Sequence, residues 1–189
     1  MIGHKAFAGL LLLTLCGSAF ADKYDDTVAL FKEAGASNAF FSSAYGYALF
    51  PTIGKAGFGI GGARGKGQVF IGDRAVGKTT MTQLTVGFQI GGQGFSQIIF
   101  FEDARAFREF SSGNFEFGAQ ASAVAITAGA SAEATTSGTS ASASGGKSDA
   151  TTAGRSYHKG MKVFTIAKGG LMYEASVGGQ KFSYEPLSP

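Results

Sequence analysis

Glycine crowds one short segment of the chain, and this segment constrains the possible folds more than any other feature. Phe58 and Ile60 lie between glycines at alternate positions. Successive side chains of a strand point to opposite faces, so the segment predicts a strand with one nearly bare face. Glycine in a strand usually marks a place where another segment packs closely or where the strand bends sharply, and we expect one of these here. The glycines are Gly54, Gly57, Gly59, Gly61, Gly62, Gly65 and Gly67.

Residues 83–90 show the clearest alternation in the sequence. A period of two predicts a strand with one buried apolar face and one polar face. We expect Gly91 and Gly92 to bend the chain before a second strand at 96–101. The apolar set is Leu84, Val86, Phe88 and Ile90, and the alternating set is Gln83, Thr85, Gly87 and Gln89.

Shorter apolar runs predict the remaining strands. They lie at 68–71, 115–121, 124–128, 163–166, 171–176 and 181–184. Residues 72–78 are expected to form a turn, and a bulge near Ser122 would keep both neighbouring runs facing the core. The dipeptides Gly169-Gly170 and Gly178-Gly179 are expected to separate the last three strands.

Helical periodicity is confined to the start of the exported chain and to one central segment. In residues 22–45, apolar side chains recur every three or four positions, which predicts an amphipathic helix. We expect Gly35 to break it and Ser37 or Asn38 to cap a second helix. The alternatives for the first helix are packing on a sheet and lying on a membrane.

Asp103 is a predicted N-cap for a short helix that turns Phe107 and Phe110 inward and ends at Gly113. Short turns between successive strands favour antiparallel pairing. The predicted fold is therefore α+β, with a strongly curved, barrel-like antiparallel β-sheet, N-terminal helices and one short central helix.

Residues 1–21 have the organisation of a signal peptide. Lys5 precedes an apolar run, and Ala19-Phe20-Ala21 supplies a cleavage site. We predict a single exported domain, 22–189, that is periplasmic or secreted and peripherally associated with a membrane. A transmembrane anchor is the first alternative, but the apolar run is shorter than the roughly 20 residues needed. Lipidation of Cys16 is the second, and Leu15 before it is unfavourable.

Cleavage after Ala21 would remove the single cysteine, which leaves neither a disulfide nor a thiolate ligand. Residues 135–154 consist almost wholly of Ser, Thr, Ala and Gly. Such a segment cannot build a core, so we predict a flexible loop.

Basic residues are concentrated in two regions. The first group lies in residues 46–98, where Asp73 is the only acidic residue. The second group lies in residues 147–168. Together they predict a patch for anionic headgroups. Ordinary solvated turns are the alternative. The first group is Lys55, Arg64, Lys66, Arg74 and Lys78.

Signatures of catalysis are weak. Residues 72–79 match the P-loop pattern, but a P-loop opens a helix and the residues that follow alternate as a strand, so we predict a hairpin turn and no nucleotide. His158 is predicted to be exposed rather than catalytic, and no residue spacing suits a metal. We therefore expect no enzyme, no cofactor and, without an aromatic-basic module, no nucleic-acid partner.

Several spaced motifs resemble the SYLF family of lipid-binding domains. They lie at 50–62 with 65–67, and at 86–93, 98–101, 115–121 and 168–175. The resemblance implies a non-enzymatic phospholipid-binding domain. Eukaryotic relatives bind phosphoinositides, use an N-terminal amphipathic helix at membranes and in some cases bind actin. An exported chain without an SH3 or FYVE domain resembles the bacterial branch, for which we expect no actin partner.

On this basis the five cations of the first basic group are expected to meet lipid phosphates, at roughly 1 kcal/mol each near an anionic surface. Tyr24, Val28 and Phe31 are expected to insert into the membrane or cover an acyl-binding groove. The alternatives are an envelope scaffold with a protein partner, a small outer-membrane barrel and a hydrolase. The sequence specifies neither the headgroup nor the oligomeric state.

Overall fold

The computed structural model describes residues 18–113, 115–117, 151–152 and 159–188. Two helices come first, α1 (Ser18–Glu33) and α2 (Gly35–Ser43). A third helix, α3 (Ala104–Phe110), follows the second strand. The strands are β1 (Gly46–Ile71), β2 (Arg74–Phe101), β3 (Phe115–Phe117), β4 (Thr151–Thr152) and β5 (Met161–Pro186). The predicted combination of an antiparallel sheet with N-terminal helices and a short central helix is confirmed.

The sheet has the strand order β1-β2-β5-β3, and β4 pairs with β5. Every pairing is antiparallel. Among the described strands this order does not close on itself, so the barrel-like form stays a prediction. Strands β1 and β2 make one long hairpin in which Ile71 pairs with Arg74. The P-loop-like segment is therefore a hairpin turn continued by strand, as predicted, and Gly72 adopts a left-handed φ of 57° there.

The strands are longer than predicted. Residues 74–101 and 161–186 each form one continuous strand. The predicted separation into shorter strands is therefore wrong, and so is the long turn at 72–78, whereas the bend predicted at Gly91-Gly92 is present. At Gly87 and Gly91, φ values of 142° and 123° bend β2 without ending its pairing. Glycine adopts such angles without steric cost, so it re-aims the strand instead of stopping it.

Strand β1 folds back on itself around Gly59, whose φ is 72°. A Cβ at Gly65 would collide with the side chain of Ile53, and one at Gly67 would lie 2.5 Å from the carbonyl oxygen of Leu49. The two halves of β1 therefore cross at backbone distance. The glycine spacing predicted either a close approach or a sharp bend, and the structure shows both.

Two apolar clusters stabilise this arrangement. One lies inside the folded sheet, against α3. The other lies between the sheet and the first two helices, where Phe31 is fully buried and Tyr24 and Val28 are partly buried. The prediction that α1 packs on the sheet is confirmed. The first cluster includes Phe50, Ile53, Val69, Met81, Phe95, Phe101, Phe110 and Phe182, and the second includes Leu49, Ile98, Phe100 and Phe164.

Of the two predicted helix caps, one is confirmed. Oδ1 of Asp103 accepts a hydrogen bond from the amide of Ala106 at 2.8 Å, and Phe110 is buried below it. The predicted cap of α2 is wrong, because its N-cap is Ala34 and provides no side-chain bond. Ser37 lies inside the helix and donates its hydroxyl to the carbonyl oxygens of Phe31 and Ala34.

The burial predicted for the alternating segment is inverted at Gln83, Leu84, Thr85 and Val86. Leu84 and Val86 are exposed, whereas Gln83 and Thr85 are buried. The period of two is correct, but the polar side faces inward. Buried amides tolerate this only when paired, and here Nε2 of Gln180 donates to Oε1 of Gln83 at 3.5 Å.

Several predictions fall outside the described residues. These are the signal peptide up to residue 17 with Cys16, the strand residues 118–128 with the bulge near Ser122, His158, and all of the 135–154 loop except the residues of β4. They stay predictions. The described part of α1 starts at Ser18 and includes the last four residues of the predicted signal peptide.

Candidate functional site

A groove of about 400 Å³ lies between the start of α1 and the exposed face of β1. Arg64 and Lys66 occupy neighbouring exposed positions of this face, which strand geometry places about 7 Å apart. Lys23 reaches the groove from α1. We call it the basic groove, and its lining residues are Lys23, Tyr24, Pro51, Thr52, Arg64, Gly65 and Lys66.

Lys168 of β5 extends the basic groove. Its Nζ donates to Oγ1 of Thr52 at 3.5 Å. Partial burial lowers the pKa of Lys168, the charge of Lys23 lowers it further, and Asp26 acts in the opposite direction. Positive charges are therefore crowded closely enough to disfavour one another, and an anion in the groove would relieve this repulsion.

The crowding predicts how Lys168 titrates. Replacing Lys23 by Gln removes a like charge, so the pKa of Lys168 is expected to rise. Asp26→Asn removes the opposing carboxylate, so the pKa is expected to fall. A ¹³Cε NMR titration of the lysines measures both shifts. Lys32→Gln, on the same helix, is the control and should leave Lys168 unchanged; equal shifts in all three variants would contradict the arrangement.

A second hollow, of about 420 Å³, opens on the β1–β2 hairpin itself. Lys55 lines it and is almost fully buried, beside the buried amides of Gln83 and Gln93. Arg64 lines both this hollow and the basic groove. Arg64 therefore borders both depressions, and the five donors of its guanidinium suit bidentate contact with a phosphate.

The structure brings together some of the predicted site residues. Tyr24, Arg64 and Lys66 share the basic groove. Lys78 is exposed on the same side of the hairpin, where its register partners are Gln68 on β1 and Glu185 on β5.

The other predicted residues lie elsewhere. Arg74 is exposed beside the hairpin turn. Val28 and Phe31 belong to the helix–sheet core, so insertion of Phe31 into a membrane would require α1 to leave the sheet. The lipid-binding roles assigned to these side chains remain predictions.

Sequence reasoning missed Lys23, Thr52 and Lys168 as site residues. Lys168 belongs to the second basic region, and Lys23 adjoins the predicted Tyr24, so both carried a signal of composition. No sequence signal brings Lys168 next to Thr52, because their contact depends on how β5 and β1 meet across the folded sheet.

Within the described ranges, no group of three or more His, Cys, Asp or Glu side chains is placed to hold a metal ion.

The hydroxyl of Ser96, in β2, has a structural partner: this fully buried side chain donates to the carbonyl oxygen of Pro51 at 2.8 Å. None of the helices, as far as the structure describes them, is both long and apolar enough to cross a membrane.

A family model described as Ysc84, Las17-binding protein actin regulator, matches residues 82–185, which is more than half of the chain. The chain belongs to the Ysc84 (SYLF) family. The family resemblance drawn from the sequence motifs is thereby confirmed. No significant match was found among curated proteins or among solved structures.

The Ysc84 match covers most of β2, all of α3 and nearly all of β5. It includes Lys168, while Lys23, Arg64 and Lys66 precede it. The family is one of non-catalytic binding domains. The basic groove is therefore formed where the matched Ysc84 segment meets α1 and β1.

Proposed function

We propose that this protein is a non-enzymatic phospholipid-binding protein of the bacterial cell envelope, and that the basic groove holds the phosphate of an anionic headgroup. One observation carries the proposal. Lys23 of α1 and Arg64 and Lys66 of β1 line one groove, and Lys168 of β5 contacts its lining residue Thr52. Cations next to an anionic leaflet contribute about 1 kcal/mol each.

The groove suits a phosphate group better than an extended polyanion. Its cations surround a compact depression, and Asp25 and Asp26 lie on α1 close to Lys23 in the sequence. These carboxylates would oppose a long polyanion that ran past the groove. A single phosphate that reaches into the groove would meet the cations first, because Arg64 and Lys66 line its wall.

Two other functions compete with this proposal. The family description names a Las17-binding actin regulator, but the signal peptide predicted from the sequence would remove the chain from actin. A structural or protein-interaction scaffold of the envelope, without a lipid ligand, is the alternative that remains.

Vesicle flotation tests the proposal. We expect recovery of the purified protein with vesicles containing phosphatidylglycerol, little recovery with phosphatidylcholine alone, and release when salt is raised from about 0.05 M to about 0.5 M, because salt screens exposed charges. Equal recovery from both vesicle types at both salt concentrations would overturn it. Absence of vesicle binding together with lipid-independent binding of an envelope protein would favour the scaffold, and sedimentation with filamentous actin would favour the actin function.

A further inference from the structure

Large apolar side chains are exposed where the hairpin bends. They lie on β1 and β2 on both sides of Gly59, the point about which β1 folds back. We call this set the apolar apex. Its members and their exposed fractions are Phe58 at 81%, Ile60 at 64%, Leu84 at 65%, Val86 at 60% and Ile90 at 45%.

The apolar apex faces outward although the opposite side of the same strands is polar. Gln83 and Thr85 alternate with Leu84 and Val86 and are buried. A sheet in water normally turns its apolar face inward, and a shift of one residue would reverse every side chain. The register is nevertheless fixed by the ladder pairs Ile60–Val86 and Gly62–Leu84. This orientation leaves a contiguous apolar surface that water alone does not stabilise.

Basic residues border the apolar apex on the same face. Arg64 and Lys66 follow Ile60 at even-numbered positions of β1, all of them exposed. The segments 52–66 and 78–94, which form the middle of the hairpin, contain no Asp or Glu. Along β1 and β2 an apolar surface thus continues into cations without an intervening carboxylate, which is complementary to hydrocarbon below an anionic headgroup layer.

We propose that the apolar apex inserts into the acyl boundary of an anionic phospholipid bilayer while Arg64 and Lys66 remain at the level of the phosphates. This inference rests on the proposed function and names the part of the fold that enters the membrane. Four residues of strand span about 13 Å, so Ile60 reaches below the headgroups when Arg64 is level with them. Interfacial elements commonly enter by about 5–10 Å.

A second copy of the chain fits this surface less well. A two-fold contact would place the same patch on both subunits, so the cations that border one apolar apex would approach those of the other. Helix α1 is also a poorer candidate for insertion, because its apolar side already covers the sheet through Phe31 and Ala34.

The chain contains no tryptophan, so Phe58→Trp introduces a single tryptophan, excited selectively over tyrosine, at the apolar apex. With phosphatidylglycerol vesicles we expect its emission to shift to the blue and to be quenched by brominated acyl chains. Leu30→Trp is the matched control, since Leu30 is 42% exposed on α1, and its emission should stay that of a solvated indole. Quenching at Leu30 but not at Phe58 would overturn the inference in favour of α1.

An affinity measurement separates this inference from the proposed function. Phe58→Ser combined with Ile60→Ser should weaken binding to the same vesicles at least about tenfold while leaving the salt dependence in place. Circular dichroism should show an unchanged fold. If wild-type protein binds in a salt-dependent manner but the double variant binds equally well, insertion is wrong and headgroup binding stands. If wild-type protein does not bind at all, both proposals fail. A lipid-free dimer that the double variant abolishes would show that a second copy covers the apolar apex.

Discussion

Gly67→Ala is expected to destabilise the protein by about 3 kcal/mol, a large share of the 5–15 kcal/mol typical of a domain. The added methyl would lie 2.5 Å from the carbonyl oxygen of Leu49 and 2.7 Å from Cδ1 of Phe50. Neither neighbour can move freely, because Leu49 is paired with Ile98 in the sheet and the Phe50 ring packs 5.8 Å from that of Phe182.

Gly54→Ala is the matched control on the same strand. Its Cβ would meet nothing within 4 Å, and alanine in a strand is favoured over glycine by roughly 0.5–1 kcal/mol. The midpoint of urea unfolding should therefore fall in Gly67→Ala and stay or rise in Gly54→Ala, with an unchanged slope in both. Equal midpoints for the two variants would show that the halves of β1 do not cross at backbone distance.

The glycine spacing predicted a close approach or a sharp bend, because strand positions without a Cβ leave room for a neighbouring segment. It could not predict the length of the strands. A Gly-Gly pair is equally compatible with a turn and with a bend inside a continuous strand, and only the partner strand decides between them. Gly91 stays paired with Gly57 and Met172, so the bend stays within one strand.

Alternation likewise predicts which residues share a face but not which face is buried. Apolar side chains usually lie in the core, so alternation predicts that Leu84 and Val86 are buried. The structure instead buries Gln83, whose amide is reached by Gln180 from β5, and Gln97 and Gln180 exchange hydrogen bonds at 3.2 and 3.4 Å. That network joins residues far apart in the chain, and no local pattern contains it.

The candidate site, like the sheet, was predictable only in part. Composition singled out Arg64 and Lys66, which lie together because they are two residues apart on one strand. The approach of Lys23 and Lys168 depends on the packing of α1 and on the pairing of β5. A basic region can thus be predicted from the sequence, whereas a basic groove requires the fold.

Replacing the four cations of the basic groove by glutamine is expected to weaken binding to anionic vesicles about 1,000-fold at low salt, from roughly 1 kcal/mol for each residue. The variant is Lys23→Gln, Arg64→Gln, Lys66→Gln and Lys168→Gln. These side chains line the groove or, for Lys168, contact its lining residue Thr52, so the proposed phosphate contacts would be lost together. Sedimentation with vesicles of increasing phosphatidylglycerol content measures the loss, and the remaining binding should depend less on salt.

A pair of double variants distinguishes the contribution of the basic groove to vesicle binding from the contribution of net charge. Arg64→Gln with Lys66→Gln should weaken binding about 30-fold, whereas Arg105→Gln with Arg108→Gln removes the same charge from α3, which contributes nothing to the groove. The ion pairs of Arg105 with Asp103 and Glu109 are exposed, so their loss should barely change stability. If both double variants lose affinity equally, attraction is a property of the overall charge of +3. A selective loss in the first requires the phosphates to contact the basic groove, because long-range attraction does not distinguish two surfaces that lose the same charge.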